Sequence, residues 1–327
     1  MKSPSGARTA EAAKPFAKAM IKSSPEDWIV HEQLPLDPSP EGEHLFLQIE
    51  KRELSTAFVA QWLADYFSIA LMDVGYAGLK DKHAVTRQWF SIRLPSAGGI
   101  ALGSLYEGDG GERITLFDQQ WRLAKLRRGE HRANRFQIRL REVTGLSATA
   151  LALEAAITEP FPNYFGPQRF GRENLDRALN WLKNRRRRRV AKSVRGWHLS
   201  VIRSWLFNEI LRVREEAGCW KSALAGDVLN DGDDVPTGSL WGRGRSPLSG
   251  EALVMETRAL ASFASECDAL EQAGVKRGLR PLAIKPRIDT VEVCPAGGDI
   301  RLAFELPPGA YATSFLAQHF DLTEPSR

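Results

Sequence analysis

The sequence predicts an α+β protein, in which a sheet domain is interrupted by an inserted helical domain. Three observations carry this. Two-residue alternation of apolar and polar side chains dominates up to about residue 159. After Pro160 the pattern becomes helix-rich, with helices expected up to about Ala273, and from Ile288 strand patterns return. With 327 residues the chain has room for about two domains, and an insertion explains strand, helix, strand better than two domains in series. The expected boundaries are a flexible leader at 1–20, a first sheet segment at 21–159, the insert at 160–285 and a closing sheet segment at 286–327. No tandem repeat is evident.

Each element has a local reason. In the first 20 residues Lys, Arg and Glu interrupt every apolar run, so they read as a frayed leader and not as a secretory signal. Residues 22–30 form a Pro-marked turn entering a strand, and 43–49 are strand-like. Ser55 can cap a helix whose Phe58, Val59, Trp62, Leu63, Tyr66 and Phe67 fall on one face, expected to be core. Residues 73–77 form a short strand, 78–84 a polar turn and 88–94 a strand. Gly108 to Gly111 mark a turn before a strand at 113–117. Phe136, Ile138 and Leu140 alternate with polar residues, and 151–157 look helical. Helices are expected at 175–182, at 200–213 with Ser200 as cap, and at 259–273. A glycine-punctuated loop at 226–250 separates the last two. Strands at 290–293 and 300–306 lead to Pro307-Pro308-Gly309 and a helix at 313–318.

An apolar fraction of 43% and a charged fraction of 26% exclude a wholly disordered or collagen-like chain. The three cysteines, Cys219, Cys267 and Cys294, are far apart and form no CxxC pair. A cysteine zinc site and a disulfide framework are therefore not expected, and a reducing cytoplasm is the expected compartment. No apolar run is long enough to span a membrane. The net charge of +5 is unevenly spread. Residues 160–214 hold 14 Lys/Arg against 3 Asp/Glu, a net of +11, so the other 272 residues carry −6. At its centre stand Arg185, Arg186, Arg187, Arg188 and Arg189, with Lys183, Lys192 and Arg195 alongside and aromatics such as Phe170, Trp181 and Trp197 interleaved. Guanidinium forks suit phosphates and aromatic faces suit bases, which favours RNA or DNA contact over a solvated loop or a targeting signal.

No P-loop, dinucleotide fingerprint or HExxH is present. Asp81 and His83 lack a third ligand nearby, so they make a weak metal pair. Asp81 lies between Lys80 and Lys82 behind Gly78. Neighbouring cations favour its ionised form, which can serve as nucleophile or general base, or simply cap the turn and pair with Lys80.

Gly78 to Ile92, GLKDKHAVTRQWFSI, resembles the signature segment of the TruD family of tRNA pseudouridine synthases. Four further segments resemble the family in the same order. They are SPEDWIV at 24–30 followed by Glu32, Asn134-Arg135-Phe136 with Arg141-Glu142-Val143, PNYFGPQRFG at 162–171, and LPPGAYATS at 306–314. The resemblance spans about residues 21 to 318. It implies a catalytic domain on a mixed, largely antiparallel sheet, interrupted by the family's own inserted TRUD domain. It further implies isomerisation of uridine to pseudouridine in tRNA, at uridine 13, with no cofactor, metal or nucleotide. Asp81 matches the catalytic aspartate, which would start glycosidic cleavage by attack on the sugar or the base, or by proton abstraction leading to a glycal. Lys80 matches a basic neighbour expected to hold the Asp81 carboxylate. Asn134, Phe136, Tyr311 and Trp28 match positions about the uracil pocket, Trp28 with core packing as its alternative. Arg169, Arg172, the 185–189 run and Arg195 are the expected phosphate contacts. The partner expected is tRNA, and the protein is expected to be a monomer. The alternatives are a non-catalytic RNA-binding protein or RNA chaperone on the same fold, and a metal-dependent nuclease using Asp81 and His83.

Overall fold

The computed structural model describes residues 17–35, 42–94, 100–146, 150–171, 173–185, 189–232, 234–294 and 298–325. In chain order, β1 (Ala17–Met20), β2 (Trp28–Gln33) and β3 (His44–Arg52) lead to helix α1 (Thr56–Tyr66). Then come β4 (Gly75–Tyr76), β5 (Val85–Arg93), β6 (Gly103–Glu107), β7 (Arg113–Arg122), β8 (Ala133–Thr144) and α2 (Ala150–Ile157). A helix-rich stretch follows: β9 (Phe161–Pro162), α3 (Pro167–Phe170), α4 (Asn174–Asn184), α5 (Lys192–Glu216), β10 (Thr237–Leu240), α6 (Gly250–Leu260), α7 (Ala264–Gln272), β11 (Gly278–Pro281) and β12 (Ala283–Ile284). The chain closes with β13 (Arg287–Cys294), β14 (Asp299–Leu306), α8 (Ala312–Leu316) and β15 (Phe320–Thr323).

Two compact units result. One holds Glu159–Lys285 with Ala310–His319; the other holds Phe16–Thr158, Pro286–Gly309 and Phe320–Arg327. Two details differ from the expected boundaries. Ala17–Met20, placed in the leader, forms β1, because it finds partners in β15 and β8. Residues 310–319, placed in the closing sheet segment, group with the insert.

The sheet unit follows the order β13-β14-β8-β2-β5-β3-β7-β6, with β1 joined to β8 and β15, and β4 to β5. β2 and β5 run parallel, as do β1 and β15, and the other described pairs in this sheet are antiparallel. The architecture is thus α+β on a mixed, largely antiparallel sheet. Helix α1 covers one face: Val59, Ala60, Leu63 and Ala64 pack on Leu47, Ile49, Phe90 and Ile92. Its cap is as expected, with Ser55 Oγ accepting from Phe58 N–H at 3.1 Å. Its apolar face is not. Phe58 and Tyr66 stay 41% and 53% exposed, because the six residues span more than the stripe that the sheet covers. Phe58 and Trp62 instead meet Tyr106, and Tyr66 stacks on Trp62 at 5.0 Å.

The inserted unit has its own core, where Ala178, Trp181 and Leu182 of α4 meet Leu206, Phe207, Ile210 and Leu211 of α5 and Leu270 of α7. Helix α5 starts at Lys192, before Ser200. Ser200 is interior to it: its carbonyl accepts from Ser204 Oγ and its hydroxyl from Arg169. The expected helix at 259–273 is broken into α6, a 3₁₀ turn and α7. No helix among the described residues is long and apolar enough to cross a membrane.

Arg214 of α5 makes a two-pronged pair with Asp227, at 2.7 and 3.2 Å, with both side chains buried. Asp227 Oδ2 also accepts Leu224 N–H. Removing the carboxylate strands a buried guanidinium, so Asp227→Ala is expected to destabilise the inserted unit by about 3–5 kcal/mol, measured by urea unfolding.

Candidate active site

Asp81 lies in the turn between β4 and β5, and that turn is pinned from several sides. Gly129 N–H donates to Ala77 O, and Gln88 Nε2 of β5 donates to Gly78 O. Gln88 Oε1 accepts from Thr56 Oγ1, which in turn accepts from Lys80 N–H at 2.9 Å. Lys51 of β3 donates through Nζ to the carbonyls of both Asp81 and Leu54, each at 2.6 Å. Gly78 is closely packed: a Cβ there would lie 3.0 Å from Lys80 Nζ and 3.3 Å from His131 Cε1, so these side chains would have to give way by a few tenths of an ångström.

The charges around the turn do not pair as the sequence suggested. Lys22, not Lys80, stands at the Asp81 carboxylate, 3.5 Å from Oδ2. Lys22 is buried in a left-handed backbone conformation with φ 56°, and its ammonium lies 4.6 Å from the Trp28 ring centre. Lys80 turns to Glu32, with Nζ 2.5 Å from Oε2 and both side chains buried. The reason is electrostatic: a fully buried carboxylate on β2 needs a cation, and Lys80 supplies it. Glu32 Oε1 also accepts from Trp89 N–H. The Asp81 side chain keeps 34% of its exposure, enough for a substrate to reach it. His83 pairs with Glu53 at 2.8 Å. Among the described residues no group of three or more His, Cys, Asp or Glu could hold a metal ion.

Beneath the turn, the sheet carries two neighbouring rows on one face. Lys51, Thr86, Val30, Phe136 and Phe304 are in register across β3, β5, β2, β8 and β14. In the next row Glu32 pairs with Asn134, and Asn134 with Leu306. Asn134 is buried. Its Nδ2 lies 3.3 Å from His131 Nε2, and its Oδ1 has no hydrogen-bond partner among the described residues. Phe136 stacks on Phe304 at 5.1 Å and meets Trp28 edge-on at 6.5 Å. Trp28 is a core residue, so of its two sequence readings the structure gives core packing.

Tyr311 lies in the inserted unit, at the start of α8, 6.0 Å from Phe165. The segment around Phe165 is locked in place. Asn208 bonds both the N–H and the carbonyl of Phe165, and Tyr164 donates to Glu215. Arg280 bonds Asn163 and lies 4.0 Å over Phe165, and burial pulls its pKa down to about 10. Arg169 is engaged internally: it donates to Ser200 and Ser204 and lies 4.6 Å over Trp197. Arg185 is half-buried and donates to Gln272 and Leu182 O, Arg195 is exposed and donates to Ala273 O, and Arg189 is exposed. Arg172, Arg186, Arg187 and Arg188 lie outside the described residues. Sequence reasoning missed Lys22, Lys51 and Glu32 as groups of the Asp81 neighbourhood.

The family model described as tRNA pseudouridine synthase D (TruD) matches residues 8–179. A curated tRNA pseudouridine synthase D of Cellvibrio japonicus is 39% identical over 306 residues, covering 92% of this chain and 89% of that protein. That of Chromohalobacter salexigens is 37% identical over 331 residues, covering 93% of each. The chain belongs to the tRNA pseudouridine synthase D family. The family is one of isomerases, which places this chain among the enzymes. The fold agrees with a solved structure from Methanosarcina mazei, described as a tRNA pseudouridine synthase D. That structure superposes with a TM-score of 0.65 at 18% identity, covering 95% of this chain and 96% of its own.

Burial pushes the Lys51 ammonium down to about 7 from an ordinary 10.5; Lys80 adds to that push, while Asp81 and Glu53 oppose it. A lysine lowered by folding destabilises while both states are protonated, below about 7, and that cost is relieved as pH rises towards 10.5. Urea midpoints taken from pH 6.5 to 10 should therefore rise for the wild type relative to Lys51→Met. Parallel curves for the two proteins would contradict the titration.

Proposed function

We propose that this chain converts uridine 13 of tRNA to pseudouridine with Asp81 as its catalytic carboxylate. The observation that carries the reading is a partly exposed carboxylate on a turn pinned on both sides of its peptide, with the buried Lys22 ammonium beside it. A carboxylate held in this way can serve as nucleophile or general base. Attack at C1′, attack on the base and proton abstraction from the sugar all begin at this group. The freed uracil turns, C5 bonds to C1′, the C5 proton leaves and N1 takes one up, so the isomerisation balances without a co-reactant.

Asn134 Oδ1, a buried acceptor without a partner among the described residues, is suited to the uracil N3–H. An unmet buried acceptor is costly, and a bound base would relieve it. Phe136 in the sheet unit and Tyr311 in the inserted unit are each proposed as aromatic contacts for the RNA. The target uridine has to leave its stack, at a cost of a few kcal/mol that phosphate contacts offset. Arg172, the 185–189 run and Arg195 are the groups proposed for those contacts. Arg169 supports that surface through Trp197 and α5. A cytosolic monomer acting on tRNA fits this reading.

The direct test is release of tritium from uridine C5 of labelled tRNA, without metal or nucleotide. The wild type should release label and Asp81→Asn should not. Binding of tRNA without release by the wild type would instead indicate an RNA-binding protein on this fold. A second measurement addresses the basic block. Replacing Arg185 to Arg189 by Gln should flatten the salt dependence of tRNA binding, by roughly 0.7–0.9 in log–log slope for each phosphate no longer neutralised. An unchanged slope would remove the run from the interface.

A further inference from the structure

Lys51 takes an inward position on β3, on the same face as Leu47 and Ile49, and is fully buried. Packing alone would be served there by an apolar side chain, since an ammonium loses its hydration on burial. What the lysine adds is specific: two hydrogen bonds from one nitrogen, one to Leu54 O at the β3–α1 junction and one to Asp81 O on the turn. Five residues on, Thr56 of the same junction accepts Lys80 N–H. The dipeptide Lys80-Asp81 is thus held at its first N–H and its last carbonyl by one short segment.

The surrounding charges leave this task to Lys51. Glu53 is engaged with His83, Lys80 with Glu32, and Lys22 with the Asp81 carboxylate. None of these contacts reaches the Asp81 carbonyl, so the side chain and the main chain of Asp81 are held by different lysines.

Resting on the reading of Asp81 as the catalytic carboxylate, we infer that Lys51 is a positioning residue for the isomerisation, which fixes the Asp81 main chain against the β3–α1 junction so that the carboxylate faces the uridine. Lys51 touches neither base nor sugar, so its removal should slow the chemical step and leave tRNA binding intact.

The experiment compares wild type, Lys51→Met, Lys51→Gln and Asp81→Asn in single-turnover pseudouridine formation at saturating tRNA, with the tRNA Kd measured in parallel. Lys51→Met should lower the rate about 10- to 100-fold, as displacement of a reacting group by about 1 Å does, with Kd within about twofold of wild type. Lys51→Gln, which keeps a shorter N–H donor, should fall between the two. A wild-type rate in Lys51→Met beside an inactive Asp81→Asn would overturn the inference and leave the reading of Asp81 standing. Activity in Asp81→Asn would overturn that reading and the inference with it. A fall in tRNA affinity in Lys51→Met as large as the fall in rate would also overturn it. If Lys51→Met does not fold, Lys51→Gln carries the comparison. Failure of both to fold would assign Lys51 to the fold and not to the site.

Discussion

The buried ion pair between Glu32 and Lys80 is the interaction on which the rest of the site depends. Glu32 is at the inner face of β2, where an isolated carboxylate would be strongly disfavoured. Lys80 meets that charge and so is withdrawn from Asp81. The turn is then drawn down onto the sheet at Lys80, and the next residue, Asp81, is left partly exposed with Lys22 beside it. Gly78 belongs to the same cluster, because a Cβ there would press on the Lys80 ammonium and the His131 ring. One buried pair therefore decides which lysine neutralises which carboxylate, and which carboxylate faces outward.

The parallel pairing of β2 and β5 makes that pair possible. Parallel neighbours cannot be joined by a hairpin, so the chain between them has to cross over. Here the crossover runs through β3, α1 and β4, and ends in the turn that carries Asp81. The turn thus arrives beside the end of β2, where Glu32 waits, and above the β3–α1 junction, where Lys51 and Thr56 bond its backbone. The same α1 that covers the apolar half of the sheet face supplies, at its first turn, the hydroxyl that anchors Lys80. Sheet packing and site geometry share one helix.

Much of this is legible in the sequence, and the exceptions share a cause. Alternation marks the strands around residues 44–52, 85–93 and 133–144, and the change of period marks the insert. The TruD-like segments point to Asp81 and Asn134. The partner of Asp81 is not legible, because closeness along the chain does not give closeness in the fold: Lys80 is adjacent in sequence, yet Lys22 is adjacent in space. Ser200 resembles a cap, but helix α5 begins at Lys192 and the serine hydroxyl binds Arg169. The spacing of the α1 aromatics suggests a wholly buried face, although the sheet covers only the stripe through Val59 and Leu63.

A signal for the missed residues is nevertheless present in the alternation itself. Leu47, Ile49 and Lys51 are spaced by two, as are Trp28, Val30 and Glu32, and Asn134, Phe136 and Ile138. In each strand a polar residue continues an inward-facing apolar set at one end. A solvated face would place such residues at the opposite parity, so their parity alone marks them as buried polar groups. Buried polar groups need partners, and three of them within four successive strands of one sheet face can find those partners in the loop above or in a ligand. Glu32 and Lys51 bond the turn around Asp81, while Asn134 keeps an acceptor unmet among the described residues. Thus the parity of polar residues at strand ends marks the floor of the site before any motif does, and the motif then identifies the turn above it.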